Sequence, residues 1–203
     1  IVLADHGDGM GSHRMVTKQV SFYEEMTNVP FIIAGPGIHP RQKPVEDLLT
    51  QPTIDLLPTL CELAGIPVPS SKPGISLAPF LKGEKQKRQH PYAASEWHSE
   101  YEVTVSPGRM IRSPRYKYTH YLEGNGEELY DMLKDKGERR NLAHDPKYSK
   151  ILAEHRALLD DYIRRTQDDY RSLKVEADKR WRSHAPGYPN HEGPCARDII
   201  NRK

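Results

Sequence analysis

Two cysteines in 203 residues are too few for a disulfide framework and say little about the redox compartment. Long apolar runs are also missing, and no stretch approaches the roughly 18 consecutive apolar residues of a membrane span. Charge of one sign is lacking too: 30 Lys and Arg against 28 Asp and Glu leave a formal net charge of +2. No basic run is interleaved with aromatics, so nothing marks a nucleic-acid surface. There is no internal repeat and no leader pattern. The chain opens inside a strand-like run, Ile1-Val2-Leu3-Ala4, so the missing leader is uninformative, and we read the chain as a C-terminal piece of a longer protein. With 36% hydrophobic residues it can bury one core and a small second subdomain.

What is present is concentrated in Asp5-His6-Gly7-Asp8-Gly9-Met10-Gly11-Ser12-His13-Arg14, followed by Lys18. Open α/β sheets place ligand chemistry at the carboxyl ends of their strands. Asp5 and His6 are of the types that hold a hard or borderline cation, and Lys18 is a fixed positive charge suited to an anion. A solvated loop after an edge strand is the competing reading of this spacing alone.

Along the chain, residues 1–5 read as a buried strand, 6–18 as the site loop and 19–27 as a short helix. A second strand over 29–34 is apolar on both faces, as a sheet covered by helices requires, and Gly35-Pro36-Gly37 ends it. After a polar loop over 38–52, Ile54, Leu57, Leu60, Cys61 and Ala64 fall on one helix face, with Pro58 expected in the first turn and Gly65 as the stop. Residues 66–91 read as a proline-rich surface connection. Short strands follow at 92–96, 102–105, 109–112, 116–121 and 128–131, the last two joined through Gly124-Asn125-Gly126. Asp145-Pro146 starts a long helix whose stripe is Ile151, Leu152, Leu158, Leu159, Tyr162 and Ile163.

The order Asp5-His6, His13, Lys18, Tyr23-Glu24, Val29-Pro30 resembles the type I, formylglycine-dependent sulfatases of the alkaline-phosphatase-like superfamily. Thr53 to Ile66, Arg115-Tyr116-Lys117-Tyr118, Glu128-Leu129-Tyr130-Asp131, Glu138 and Asn141-Leu142 extend the likeness to about residue 165. The implied fold is α/β: the C-terminal portion of an alkaline-phosphatase-like α/β sandwich over 1–91, then a small antiparallel-sheet subdomain with a long helix over 92–173. An irregular tail occupies 174–203.

The same resemblance implies a sulfuric ester hydrolase acting on a sulfated carbohydrate or glycosaminoglycan, in a periplasmic, secreted or lysosomal setting. Asp5 and His6 would complete a Ca2+ or Mg2+ site with two acidic residues of the N-terminal half. That half is the implied partner, and it is where the formylglycine is expected. Neither Cys61 nor Cys195 stands in Cys-x-(Pro or Ala)-x-Arg. Lys18 would bind sulfate as a catalytic charge. His13 would either touch substrate or orient the loop. Arg14 could contact a substrate anion, against the reading of an exposed loop arginine. His98, after Glu96-Trp97, could line a sugar-binding rim, against the reading of a packed Trp with a surface His. Two other functions compete: a phosphodiester or phosphonate monoester hydrolase of the same superfamily, and a catalytically silent fragment that packs or binds.

Overall fold

Tyrosines, β-branched residues and turn signals between 92 and 131 produce a four-stranded antiparallel sheet in the computed structural model. The structure describes residues 1–15, 21–41, 43–45, 48–70, 73–85, 90–97, 107–122 and 126–172. The strands are β3 (Ala93–Trp97), β4 (Gly108–Arg112), β5 (Tyr116–Tyr121) and β6 (Glu127–Asp131), in the order β3-β4-β5-β6. The expected strand at 102–105, Gly124-Asn125 of the turn and the tail lie outside the described residues.

Register assigns each face of this sheet a different task. Ile111 pairs with Tyr118, and Tyr118 with Leu129. These three are buried against Tyr92, Leu142 and the long helix α4 (Ser149–Thr166), which contributes Leu152 and Leu159. One residue along, Lys117 pairs with Arg112 and Tyr130, so alternation turns these to the other face. There Tyr130 and Met132 cluster with Met15, Tyr23 and Met26 from the first part of the chain. The sheet is therefore covered on both sides, which accounts for a fully buried Lys in a central strand.

Helix α4 begins as expected, with one variation. Asp145 caps a single 3-10 turn, Pro146–Tyr148, by accepting from Lys147 N at 3.0 Å, and the α-helix follows. Arg109 ties the helix exit to the sheet: its guanidinium is 3% exposed, grips both oxygens of Asp168 at 2.6 and 2.9 Å, and lies over the Tyr170 ring.

The first half departs further from the sequence reading. The strands are short: β1 (Val2–Leu3) pairs antiparallel with β2 (Phe31–Ile32). Ile1, Val2 and Ile32 are 56%, 59% and 57% exposed, so this is not the covered strand expected at 1–5. The helix expected at 19–27 is reduced to α1 (Glu24–Thr27).

Helix α2 (Pro52–Ala64) starts earlier than expected, with Pro52 in its first turn and Pro58 inside it. Pro58 has no N–H for the Ile54 carbonyl. Gly74 packs close to that carbonyl, where an added Cβ would lie 2.1 Å from the oxygen. The buried face of α2 is Asp55, Pro58, Thr59 and Cys61, while Leu57 and Leu60 are exposed. Asp55 accepts from Gln51 N at 2.7 Å, Ile75 N at 2.8 Å and His90 Nε2 at 2.8 Å, and Thr59 Oγ1 accepts from Leu77 N at 2.9 Å. The described part of the proline-rich connection, including the short helix α3 (Ala78–Leu81), is thus pinned to α2 by buried polar groups.

The same sheet carries a pH-sensitive anchor. Glu127 on β6 accepts from Arg156 of α4 and from the Tyr118 hydroxyl. The hydrogen bonds from Arg156, outweighing burial and aided by Tyr118, hold its carboxyl down at about 2. A depressed carboxyl contributes stability above its unfolded pKa and loses it as pH falls toward the folded one. Stability of the wild-type protein should therefore decline between about pH 4.5 and 2. Glu127→Gln should flatten that part of the curve in urea unfolding, and an unchanged acid limb would refute the anchor.

Candidate functional site

The loop from Asp5 to Met15 wraps around α1. Gly7 N donates to Met26 O at 2.9 Å, and Gly11 N to Met15 O at 2.7 Å. A Cβ on Gly7 would sit 1.7 Å from the Glu25 carbonyl oxygen, so glycine is required where loop and helix backbones touch. Beyond it the backbone enters the left-handed region repeatedly: Met10 (φ 46), Gly11 (φ 96), His13 (φ 49) and Arg14 (φ 62). Three of these carry side chains, a concentration of strain that the surroundings must offset.

Asp5 and His6 emerge at the end of β1, and the Asp5 side chain is 89% exposed. Asp5 Oδ1 accepts from His6 N at 3.0 Å. His6 Nδ1 lies 2.7 Å from Gly7 O; a carbonyl only accepts, so Nδ1 carries the proton and a neutral ring keeps its lone pair on Nε2. That Nε2 is 3.7 Å from Asp5 Oδ2. A carboxylate oxygen and an imidazole nitrogen at this separation can both reach one divalent ion, so the pair fits a metal. It is not a complete site: among the described residues no three His, Cys, Asp or Glu side chains gather as a metal-binding group.

His13 has a different setting. Its ring stacks face to face on Tyr23, centroids 3.7 Å apart and planes 2° from parallel, with Nε2 3.8 Å from Glu25 Oε2. Burial, only partly opposed by Glu25, lowers its pKa. Burial likewise pushes the Tyr23 phenol up. Arg14 is exposed. Glu96 accepts from Tyr162 and Trp97 ends β3, with its carbonyl taken by Arg109. Lys18, His98 and Cys195 lie outside the described residues, and Cys61 is a buried helix residue.

Behind the loop is a cluster that the sequence reading did not assemble. Lys117 Nζ lies 2.8 Å from each of Phe22 O, Glu24 Oε1 and Glu138 Oε1. Glu138 Oε2 accepts from Glu24 N at 2.7 Å, and Arg112 Nε is 3.6 Å from Glu24. Burial alone would raise the Glu24 carboxyl, but Lys117 and Arg112 hold it below its ordinary value. At Glu138 burial prevails over Lys117, and the carboxyl is raised. Tyr23-Glu24, Lys117 and Glu138 were each visible as motif residues. Their meeting, up to 114 residues apart in sequence, was not.

Asp5 and His6 thus form an exposed carboxylate–imidazole pair at a strand end, with the buried Lys117 cluster behind the same loop. Residues 11–165 match the family model of N-sulphoglucosamine sulphohydrolase, C-terminal, and the chain belongs to that family. It is 76% identical over its whole length to a Delta 4,5-hexuronate-2-O-sulfatase of Bacteroides thetaiotaomicron, of which it spans 42%. A solved structure of a 2-O GAG sulfatase superposes with a TM-score of 0.85 at 77% identity, covering 97% of this chain and 42% of that one. A second, solved in complex with its substrate D-glucosamine-2-N,6-O-disulfate, gives a TM-score of 0.72 at 25% identity over 85% of this chain and 35% of that one. The chain thus spans less than half the length of these relatives.

The Gly7 contact yields a test. Gly7→Ala should lower stability by about 1–3 kcal/mol in thermal unfolding, because its clash is with backbone. Gly11→Ala, left-handed but with nothing within 4 Å of an added Cβ, should cost about 1 kcal/mol. Equal losses would mean that the loop does not rest on α1 at Gly7.

Proposed function

We propose that this chain supplies part of the metal and sulfate site of a sulfuric ester hydrolase acting on a sulfated carbohydrate, with a 2-O-sulfated unsaturated hexuronate as the substrate class. The observation that carries this reading is 76% identity over all 203 residues to a hexuronate 2-O-sulfatase, the site loop included. The Asp5–His6 pair supports it by fitting a divalent cation, calcium or magnesium, whose remaining ligands and formylglycine nucleophile belong to the N-terminal half of the enzyme. Such an ion would polarise the sulfate oxygens.

Each residue of this chain then has a stated task. Asp5 would supply a carboxylate oxygen and His6 its Nε2, with the Gly7 carbonyl fixing the tautomer. Lys18 would offer a fixed ammonium to the sulfate oxygens, whose charge must be held as the leaving alkoxide departs. Arg14, exposed on the same loop, would face the anionic substrate, and His98 would lie at the sugar rim. His13, stacked and half enclosed, suits orientation of the loop. The exposed Ile1, Val2, Ile32, Leu57 and Leu60 support a further apolar layer contributed by the rest of the enzyme.

The deciding experiment assays the complete enzyme on a 2-O-sulfated unsaturated disaccharide beside its 6-O-sulfated isomer and an aryl phosphonate monoester. Release of sulfate from the first is expected, and preference for the phosphonate would overturn the reading. Lys18→Ala should cut turnover on that substrate at least about 100-fold, the scale of one lost preorganised charge, with near-normal metal content. Asp5→Ala should lower bound metal measured by atomic emission, and equal metal in both proteins would remove Asp5 from the site. Residues 1–203 alone should hydrolyse neither sulfate nor phosphate esters, since the chain has no Cys-x-(Pro or Ala)-x-Arg; robust turnover would place the nucleophile here after all.

A further inference from the structure

Tyr23 is bracketed by one buried pair. On its N-terminal side, the Phe22 carbonyl accepts from Lys117 Nζ at 2.8 Å. On its C-terminal side, Glu24 N donates to Glu138 Oε2 at 2.7 Å, and the Glu24 carboxylate returns to Lys117. Lys117 and Glu138 are themselves joined at 2.8 Å and are 1% exposed in their side chains. Lys117 Nζ has three oxygens at 2.8 Å: the Phe22 carbonyl accepts a hydrogen bond from it, and the Glu24 and Glu138 carboxylates pair with its charge. Tyr23 is 4% exposed and packs among Met15, Met26, Tyr130 and Met132.

Its ring face is the surface on which His13 rests. His13 occupies a left-handed backbone position with Met10, Gly11 and Arg14 around it, a conformation that persists only where the surroundings over-determine it. Backbone hydrogen bonds such as Gly11 N to Met15 O close the loop on itself, and two side-chain contacts tie His13 to α1: the stack on Tyr23 and the approach to Glu25.

We propose that Tyr23 is a positioning residue for His13 and the loop it belongs to, and that Lys117 with Glu138 fixes Tyr23 from the four-stranded sheet. The C-terminal sheet then sets the geometry of the site loop and does not merely complete the fold. The proposal rests on the sulfatase reading for its catalytic consequence, but the structural coupling stands apart from it. Displacement of a reacting group by about 1 Å can cost about 100-fold in rate, so the coupling has kinetic leverage.

The test uses the complete enzyme in three variants. Lys117→Met/Glu138→Gln removes both members of the pair at similar volume and leaves the Glu24 carboxylate to Arg112, 3.6 Å away. Tyr23→Leu removes the flat face, and Tyr23→Phe retains it. Histidine-selective NMR, with His13 assigned through His13→Gln, reads the ring-current shift that a face-on stack imposes. In the paired variant and in Tyr23→Leu, the His13 ring protons should move downfield and kcat on the 2-O-sulfated disaccharide should fall by about 30-fold or more, with KM within about threefold. Tyr23→Phe should recover both signals, which a general loss of stability would not produce. Wild-type shifts and kcat in a folded Tyr23→Leu would overturn the proposal, whatever the paired variant does. Wild-type protein inactive on sulfate esters, with the His13 shifts still moving as stated, would refute the sulfatase reading and leave the positioning role standing.

Discussion

Lys117 is the constraint on which the arrangement depends. A primary ammonium that is 1% exposed is tolerable only with compensating partners, and here the Phe22 carbonyl accepts from it, Glu24 and Glu138 pair with its charge, and Arg112 beside Glu24 offsets the second carboxylate. Removing one partner from such a cluster typically costs about 3–5 kcal/mol, because the others stay buried without compensation. The cluster also has direction. Apolar packing is non-directional, whereas the hydrogen bond to Phe22 O and the ion pairs with Glu24 and Glu138, each at 2.8 Å, favour one position of residues 22–24.

From that position the rest of the site follows by contact. Residues 22–24 are held by Lys117 and Glu138. Tyr23 then presents its ring to His13, and Met26 offers its carbonyl to Gly7. Gly7 fixes the loop just past Asp5 and His6, whose donors face outward. Each step passes through a close approach of backbone or ring, with little slack. An α1 helix of four residues could not hold such an arrangement by its own hydrogen bonds, since short helices are marginal without tertiary support.

What could be read from the sequence divides along a physical line. The α4 stripe was legible because apolar spacing and burial coincide at Leu152 and Leu159, and the four described sheet strands because tyrosines and turn signals alternate there. His155, on the same helix, escaped notice. It is buried since Nδ1 donates to Ile151 O and Nε2 lies 2.8 Å from Ser113 Oγ, a satisfaction that no periodicity records. Helix α2, its Gly65 stop and the burial of Cys61 were legible, but its buried face was not, for the same reason: apolar spacing selected Leu57 and Leu60, while that face is organised by Asp55 and Thr59. Long-range polar pairing is invisible to local pattern. Family resemblance marks Tyr23-Glu24, Lys117 and Glu138 one by one, whereas their meeting is set by the tertiary fold.

The strained loop explains why such an anchor is built from charge. Left-handed backbone at Met10, His13 and Arg14 costs roughly 1–3 kcal/mol at each position. A stack such as His13 on Tyr23 offers about 0.5–1.5 kcal/mol, so the ring contact cannot offset the strain alone. The loop's own backbone hydrogen bonds contribute to the remainder, and the Lys117 cluster acts one step removed, on Phe22 and Glu24 either side of the ring on which His13 rests. On the proposed coupling, weakening the cluster would shift Tyr23 and, with it, the surface against which His13 is held.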